Sequence, residues 1–127
     1  MTPTETLELA GELVRLPVPI TVDIEAGLGT DPHELAAQLW ERKVAGVNIE
    51  DGRDDHLADP TEHAKLLRAF KDGAPAISVN ARIDTHWLGL EKDTTIDRAM
   101  HYAGADGVFV PGLVDDRETI DVVAAVA

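Results

Sequence analysis

Three segments of this chain carry the same helix-start signal: Thr2-Pro3-Thr4-Glu5, Asp31-Pro32-His33-Glu34 and Asp59-Pro60-Thr61-Glu62. In each, a capping side chain stands first and proline takes the first helical position. Glutamate follows three residues after the cap, the pattern of a capping box. The starts recur roughly every 30 residues, the length of one βα unit. Asp115-Asp116-Arg117-Glu118 repeats the signal without proline, and Asp93 or Thr94 is the expected cap of a further helix. Apolar stripes follow the caps: Leu9, Leu13 and Leu16, then Leu35, Ala36 and Leu39, then Leu66, Leu67 and Phe70.

Strands are expected between the helices, at about 18–24, 46–50, 76–81 and 107–111. These runs are short and β-branched, and they read as apolar on both faces, as parallel strands covered by helices should. Gly46, Gly73 and Gly104 are expected to supply left-handed turns at helix ends. No linker or low-complexity stretch interrupts the pattern, so residues 1–127 read as one α/β domain: a helix, then four βα pairs. Periodicity leaves two architectures, an open doubly wound sheet or part of a (βα)8 barrel. Gly27-Leu28-Gly29 lacks the third glycine of a dinucleotide-binding turn.

Composition narrows the partners. With 24 acids against 11 bases the net charge is −13, which repels phosphate backbones and anionic lipid. Neither nucleic acid nor membrane is an expected partner. There is no cysteine, hence no disulfide, thiolate metal site or cysteine nucleophile. No run approaches the ~20 apolar residues that span a bilayer. Met1-Thr2-Pro3-Thr4-Glu5 lacks the basic and apolar regions of a signal peptide, so a cytoplasmic protein is expected.

Acids sit just past the apolar runs, at the strand ends where parallel α/β folds place their chemistry. Side chains two apart on a strand share a face, which groups Asp23 with Glu25, Asn48 with Glu50, and Asn80 with Arg82 and Asp84. If the first three strands are neighbours, several carboxylates converge. Unpaired they would repel one another, and a hard cation resolves the conflict. Mg²⁺ keeps several waters, so one direct carboxylate and two acting through water suffice. Arg82 then offers a planar fork to a substrate carboxylate or phosphonate. The bland alternative is that these acids cap helices or form structural ion pairs.

Four segments in order, Pro19-Ile20-Thr21-Val22-Asp23-Ile24-Glu25-Ala26-Gly27-Leu28-Gly29, Ala45-Gly46-Val47-Asn48-Ile49-Glu50-Asp51, Val79-Asn80-Ala81-Arg82-Ile83-Asp84 and Ala103-Gly104-Ala105-Asp106-Gly107-Val108-Phe109-Val110-Pro111-Gly112, carry a resemblance to the isocitrate lyase and phosphoenolpyruvate mutase superfamily. The resemblance implies part of a TIM (βα)8 barrel, matching the family's strands three to six. It implies a Mg²⁺-dependent (or Mn²⁺-dependent) lyase or mutase that acts on a C–C or P–C bond of a small 2-keto acid through an enolate. Asp23 resembles the direct metal ligand, with Glu25 and Glu50 holding metal-bound waters. Arg82, Asn80 and Gly27 resemble substrate-binding positions, and Arg82 and Glu50 the catalytic ones.

The chain also departs from that family. The branch that cleaves isocitrate or methylisocitrate uses a cysteine acid, absent here. The phosphonomutase branch carries lysine and asparagine on the loop that reads Gly52-Arg53-Asp54-Asp55-His56-Leu57 in this chain. Leu28 and Ile83 replace a usual aromatic residue and threonine. The oxaloacetate decarboxylase-like branch remains nearest. Four strands would leave two open edges, so a homo-oligomer, with two half barrels closing a ring, is an expectation. The competing expectation is a truncated, non-catalytic homologue, or a fragment of a longer chain, that self-associates. An unrelated doubly wound binding domain is the third alternative.

Among other residues, His33 and His63 are expected at the surface. His56 stands on the candidate site loop as an acid or base, and His86 near its mouth. Trp40 and Trp87 are expected to be packing residues, and Tyr102 and Phe109 core contacts. Arg98 is expected to pair with a nearby acid, and Asp106 to be structural at the opposite face.

Overall fold

Thr2 caps the first helix with a complete capping box. Its Oγ1 accepts the Glu5 N–H, and the Glu5 carboxylate accepts the Thr2 N–H. Helix α1 runs Pro3–Leu13, β1 Thr21–Asp23, α2 Pro32–Glu41, β2 Gly46–Glu50, α3 Pro60–Gly73 and β3 Ser78–Arg82. A short α4 (Thr85–Leu88) and a 3-10 turn (Lys92–Thr94) lead into α5 (Thr95–His101) and β4 (Gly107–Phe109). The computed structural model describes residues 1–114 and Arg117. The helix start expected at Asp115-Asp116-Arg117-Glu118 lies, Arg117 apart, outside them.

The four strands are all parallel and lie in the order β1-β2-β3-β4. A doubly wound sheet reverses its strand order at a switch point. Here each βα unit adds the next strand on the same side, which makes the sheet an arc of a (βα)8 barrel. Strand positions agree with expectation to within a few residues.

Alternation across β2 and β3 sets the two faces. Val47, Ile49, Val79 and Ala81 are buried together with Leu35, Leu39, Leu67 and Phe70 of α2 and α3. Asn48, Glu50, Asn80 and Arg82 occupy the other face and are only half-buried. The expectation of strands apolar on both faces is therefore corrected: the helices cover only one face, and the other carries the half-buried polar residues Asn48, Glu50, Asn80 and Arg82.

Local chemistry explains the remaining corrections. Asp31 and Asp59 cap α2 and α3 by accepting backbone N–H groups, but only α1 has the reciprocal glutamate bond. Thr94 holds the N-cap position of α5, yet its side chain does not cap it. The buried face of α1 is Thr6, Leu7 and Ala10, whereas Leu9, Leu13 and Leu16 are exposed. Trp40, Trp87 and Phe109 are exposed and Tyr102 is buried. His63 is buried, one turn from Leu67 on the stripe of α3 that faces the core.

Gly46, Gly73 and Gly104 do not take left-handed conformations; Gly27, Gly29, Gly89 and Gly112 do. Gly73 serves close approach instead, since a Cβ there would lie 2.3 Å from the His33 carbonyl oxygen of α2. Asp106 is structural as expected. Its Oδ2 accepts the Val79 N–H and the Lys71 ammonium, both at 2.8 Å, and these bonds hold its carboxyl below the ordinary range.

Candidate functional site at the strand ends

Register brings the site residues into rows. Asp23 is the partner of Asn48, and Asn48 of Asn80. The Asn80 side-chain amide donates to Asn48 Oδ1 at 3.0 Å. Two residues further on, Glu50 is the partner of Arg82, and Nη1 of Arg82 lies 3.4 Å from Glu50 Oε2.

Strand β1 ends at Asp23, so Glu25 reaches the site by another route than a shared strand face. Asp23 Oδ1 accepts the Glu25 N–H at 2.8 Å, a local turn that aspartate favours. Glu25 takes a φ of 52°, and its carbonyl accepts the Glu50 N–H at 2.9 Å. Gly27 lies in the same turn with a φ of 101°. Ala26, rather than Gly27, lines the cleft beside it.

The acids feel one another. The Glu50 carboxyl is pushed above its ordinary value, chiefly by burial. Arg82 opposes the shift, and the charges of Asp84, Asp23 and Glu25 add to it. Burial also works against the Arg82 charge, but the Asp84 hydrogen bond and the charges of Asp84, Glu50 and Asp23 outweigh it and hold the guanidinium cationic. Asp84 Oδ1 accepts the Arg82 Nε–H at 2.6 Å. The exposed Trp87 ring lies 5.8 Å from the same guanidinium, at cation–π distance.

A cleft of about 410 Å³ opens beside these groups, with Glu25, Glu50, Arg53, Asp55 and His56 among its lining. Its loop is closed by a bridge between Gly52 and Leu57 and by the Arg53 N–H donating to the His56 carbonyl at 2.8 Å. Exposed His56 pairs through Nδ1 with Asp55 Oδ1 at 2.8 Å, and that hydrogen bond lowers the Asp55 carboxyl. A larger depression of about 600 Å³, lined mainly by α1 residues with Arg15 and Arg42, includes none of the rim acids.

The donor set is all oxygen, which suits a hard cation. Among the described residues, no three His, Asp or Glu side chains stand close enough to hold an ion between them. The rim acids are oxygen donors of the kind a hard cation takes, and they do not form a carboxylate cage.

Sequence reasoning gave Asp51 no role and grouped Asp84 with Arg82 on one strand face, without singling out their pairing. Asp51 is fully buried and Asp84 nearly so. Asp51 stands directly after Glu50 in a quoted motif, a signal that was available. Its partners Arg98 and Tyr102 lie 47 and 51 residues away, and no local pattern announces them. Arg98 does pair with an acid, as expected.

The family model for phosphoenolpyruvate phosphomutase matches residues 1–127. The chain belongs to that family. An uncharacterized protein of Mycobacterium tuberculosis (strain ATCC 25618 / H37Rv) is 43% identical over 116 residues, covering 88% of this chain and 45% of the relative. A 2-methylisocitrate lyase of Bacillus subtilis (strain 168) is 33% identical over 133 residues, covering 93% and 44% respectively. The chain thus spans a little under half the length of these curated relatives. The crystal structure of phosphonopyruvate hydrolase in complex with oxalate and Mg²⁺ shares the fold, with a TM-score of 0.78 at 20% identity over 99% of this chain and 47% of that one. A curated relative is thus named a lyase, and a fold neighbour is named a hydrolase. No helix among the described residues is long and apolar enough to cross a membrane.

Proposed function

We propose that this chain carries the metal-binding rim of a Mg²⁺-dependent lyase or mutase that acts on the C–C or P–C bond of a small 2-keto acid, of oxaloacetate or phosphonopyruvate type, through an enolate. The observation that carries this reading is the pairing of Glu50 with Arg82 at the strand ends, with Asp23 and Glu25 within electrostatic reach. Acids that raise the proton affinity of Glu50 beside a half-buried arginine favour a cation on one side and an anionic ligand on the other.

Asp23 would take the direct ligand position, and Glu25 and Glu50 would hold metal-bound water. Bound there, a divalent cation supplies positive charge next to the oxygens on which enolate charge develops. Arg82 orients the substrate carboxylate or phosphonate through its planar fork. Asn80, tied to Asn48, presents a fixed amide beside it, and Gly27 shapes the turn that carries Glu25. The absence of cysteine argues against the cysteine-acid chemistry of the isocitrate-cleaving branch.

The direct test is turnover of oxaloacetate and of phosphonopyruvate with Mg²⁺ or Mn²⁺, comparing wild type with Arg82→Lys. The reading expects metal-dependent turnover of one of them and a loss of roughly 10²-fold or more when the fork is replaced by a point charge. Metal-independent turnover, or turnover indifferent to Arg82→Lys, would contradict it.

A second reading has its own support. Among the described residues, strands β1 and β4 are each paired on one side only, and Leu9, Leu13 and Leu16 are exposed. These features favour a homologue that self-associates without turning over substrate. Sedimentation separates the two: a strictly monomeric species that turns over a keto acid removes the second reading.

A further inference from the structure

Behind the rim lies a buried cluster that the reaction does not itself use. Asp51 Oδ2 accepts the Tyr102 hydroxyl at 2.9 Å and Nη1 of Arg98 at 3.2 Å. That same Nη1 donates to the Ala58 carbonyl at 2.8 Å, and Arg98 Nε donates to Thr94 Oγ1 at 2.9 Å. The other oxygen, Asp51 Oδ1, accepts the backbone N–H of Asp84 at 2.9 Å. The Asp51 N–H donates to the Arg82 carbonyl at 3.1 Å. Asp51 therefore braces the backbone on both sides of Ile83.

The brace ends on the arginine. Asp84 stands at the N-terminus of α4 yet makes no capping bond there. Its carboxylate instead accepts Arg82 Nε–H at 2.6 Å, with an Asp84 side chain only 3% exposed. Space for it is reserved by Gly52, where a Cβ would lie 2.3 Å from Asp84 Oδ2.

We propose that Asp51, clamped by Arg98 of α5 and by Tyr102 just past that helix, is a positioning residue for Arg82: by fixing Asp84 it locks Nε of the guanidinium and turns the Nη1–Nη2 end of the fork toward Glu50 and the substrate anion. The substrate half of this proposal rests on the function proposed above, whereas the locking half rests on geometry alone. An arginine on a mobile stem loses rotamer freedom when it captures an anion. One whose Nε is already bound has lost much of that freedom beforehand, so α5, which does not line the cleft, contributes to anion affinity.

Two mild variants test the lock at separate links. Tyr102→Phe removes one bond to Asp51 and keeps the ring. Gly52→Ala displaces the Asp84 carboxylate without altering any charge. The first readout is water exchange of the Arg82 Nε–H by nitrogen-15 NMR, with the signal assigned by its disappearance in Arg82→Lys. The second is calorimetric affinity for oxalate in Mg²⁺, with Mg²⁺ affinity measured alone beside it.

The proposal expects a slowly exchanging Nε–H in wild type and faster exchange in both variants. It expects oxalate binding weakened roughly tenfold in each, with Mg²⁺ affinity unchanged. Unchanged Nε–H exchange in folded Gly52→Ala and Tyr102→Phe overturns it, as does an equal loss of Mg²⁺ and oxalate affinity, which would show general collapse of the rim. If wild type itself ignores oxalate, the functional reading fails, and Nε–H exchange alone then decides whether the lock exists.

Discussion

Glu50 and Arg82 are register partners on adjacent parallel strands, and their side chains meet at 3.4 Å where the strands end. The pairing is not a balanced ion pair. Glu50 holds its proton more tightly than an ordinary carboxyl, because burial and three neighbouring acids outweigh the arginine.

A carboxyl raised in the folded state costs stability as pH climbs from its unfolded value through its folded one, since the native form then gives up a proton it prefers to keep. Glu50→Gln should therefore melt higher than wild type at neutral pH without metal, and the advantage should vanish in mild acid. Added Mg²⁺ should narrow the gap by stabilising wild type more than the variant. Thermal melts at several pH values, with and without Mg²⁺, check this.

His63 carries the opposite linkage. Burial is the largest cause of its low value; Asp51 opposes the shift, the cationic Arg53 and Arg98 add to it, and the group lies at about 4. Among the described residues neither ring nitrogen has a hydrogen-bond partner, and the ring meets Tyr102 edge-on at 5.1 Å. Its folded value lies below the unfolded value of 6.5, so stability is full above that pH and falls as pH drops toward 4, by up to about 3 kcal/mol. His63→Phe keeps the edge-on contact and should remove this part of the slope. Urea titrations of both proteins between pH 4 and 7 measure the difference.

Arg98 and Asp51 form a pair with almost no solvent access, at 3.2 Å. Arg98→Met leaves a buried carboxylate with its main countercharge gone and should cost about 3–5 kcal/mol. Since a domain of this kind has only ~5–15 kcal/mol in hand, the midpoint of denaturation should fall sharply. Asp51→Asn paired with Arg98→Met should cost less than the sum, because the orphaned charge is gone, and a double-mutant cycle reads that coupling.

Gly73→Ala tests how α3 meets α2. The added methyl would press on the His33 carbonyl at 2.3 Å, a backbone atom that cannot swing away. Overpacking of this kind should destabilise by ~1–3 kcal/mol even though alanine is the better helix former. A loss of that size in chemical denaturation, at unchanged helix content, is the expected result.

Much of the fold was written in local chemistry. Thr2, Asp31 and Asp59 each cap a helix, and the β-branched runs lie within a few residues of the strands, because caps and short apolar runs act over four or five residues. Asp23, Asn48, Glu50, Asn80 and Arg82 could be placed on one rim because parallel neighbours share a register. What local pattern could not show was long-range. The Asp51–Arg98–Tyr102 cluster joins residues some fifty positions apart, and the leucines of α1 divide between faces according to what α2 covers. His63 is legible in the sequence: with Leu67 and Phe70 it sits on one helical stripe, and only its polarity argues for the surface. The turn at Glu25 was hidden because the apolar run continues through Ile24 while Asp23 bends the chain by accepting the Glu25 N–H.

Everything functional depends on a cation at the rim formed by Asp23, Glu25 and Glu50. Calorimetric titration of Mg²⁺ into wild type and into Asp23→Ala puts that dependence to the test most directly. The account predicts one saturable site in wild type, weakening as acidity protonates Glu50, and loss of binding in the variant. Indistinguishable isotherms for the two proteins, or none in either, would contradict it.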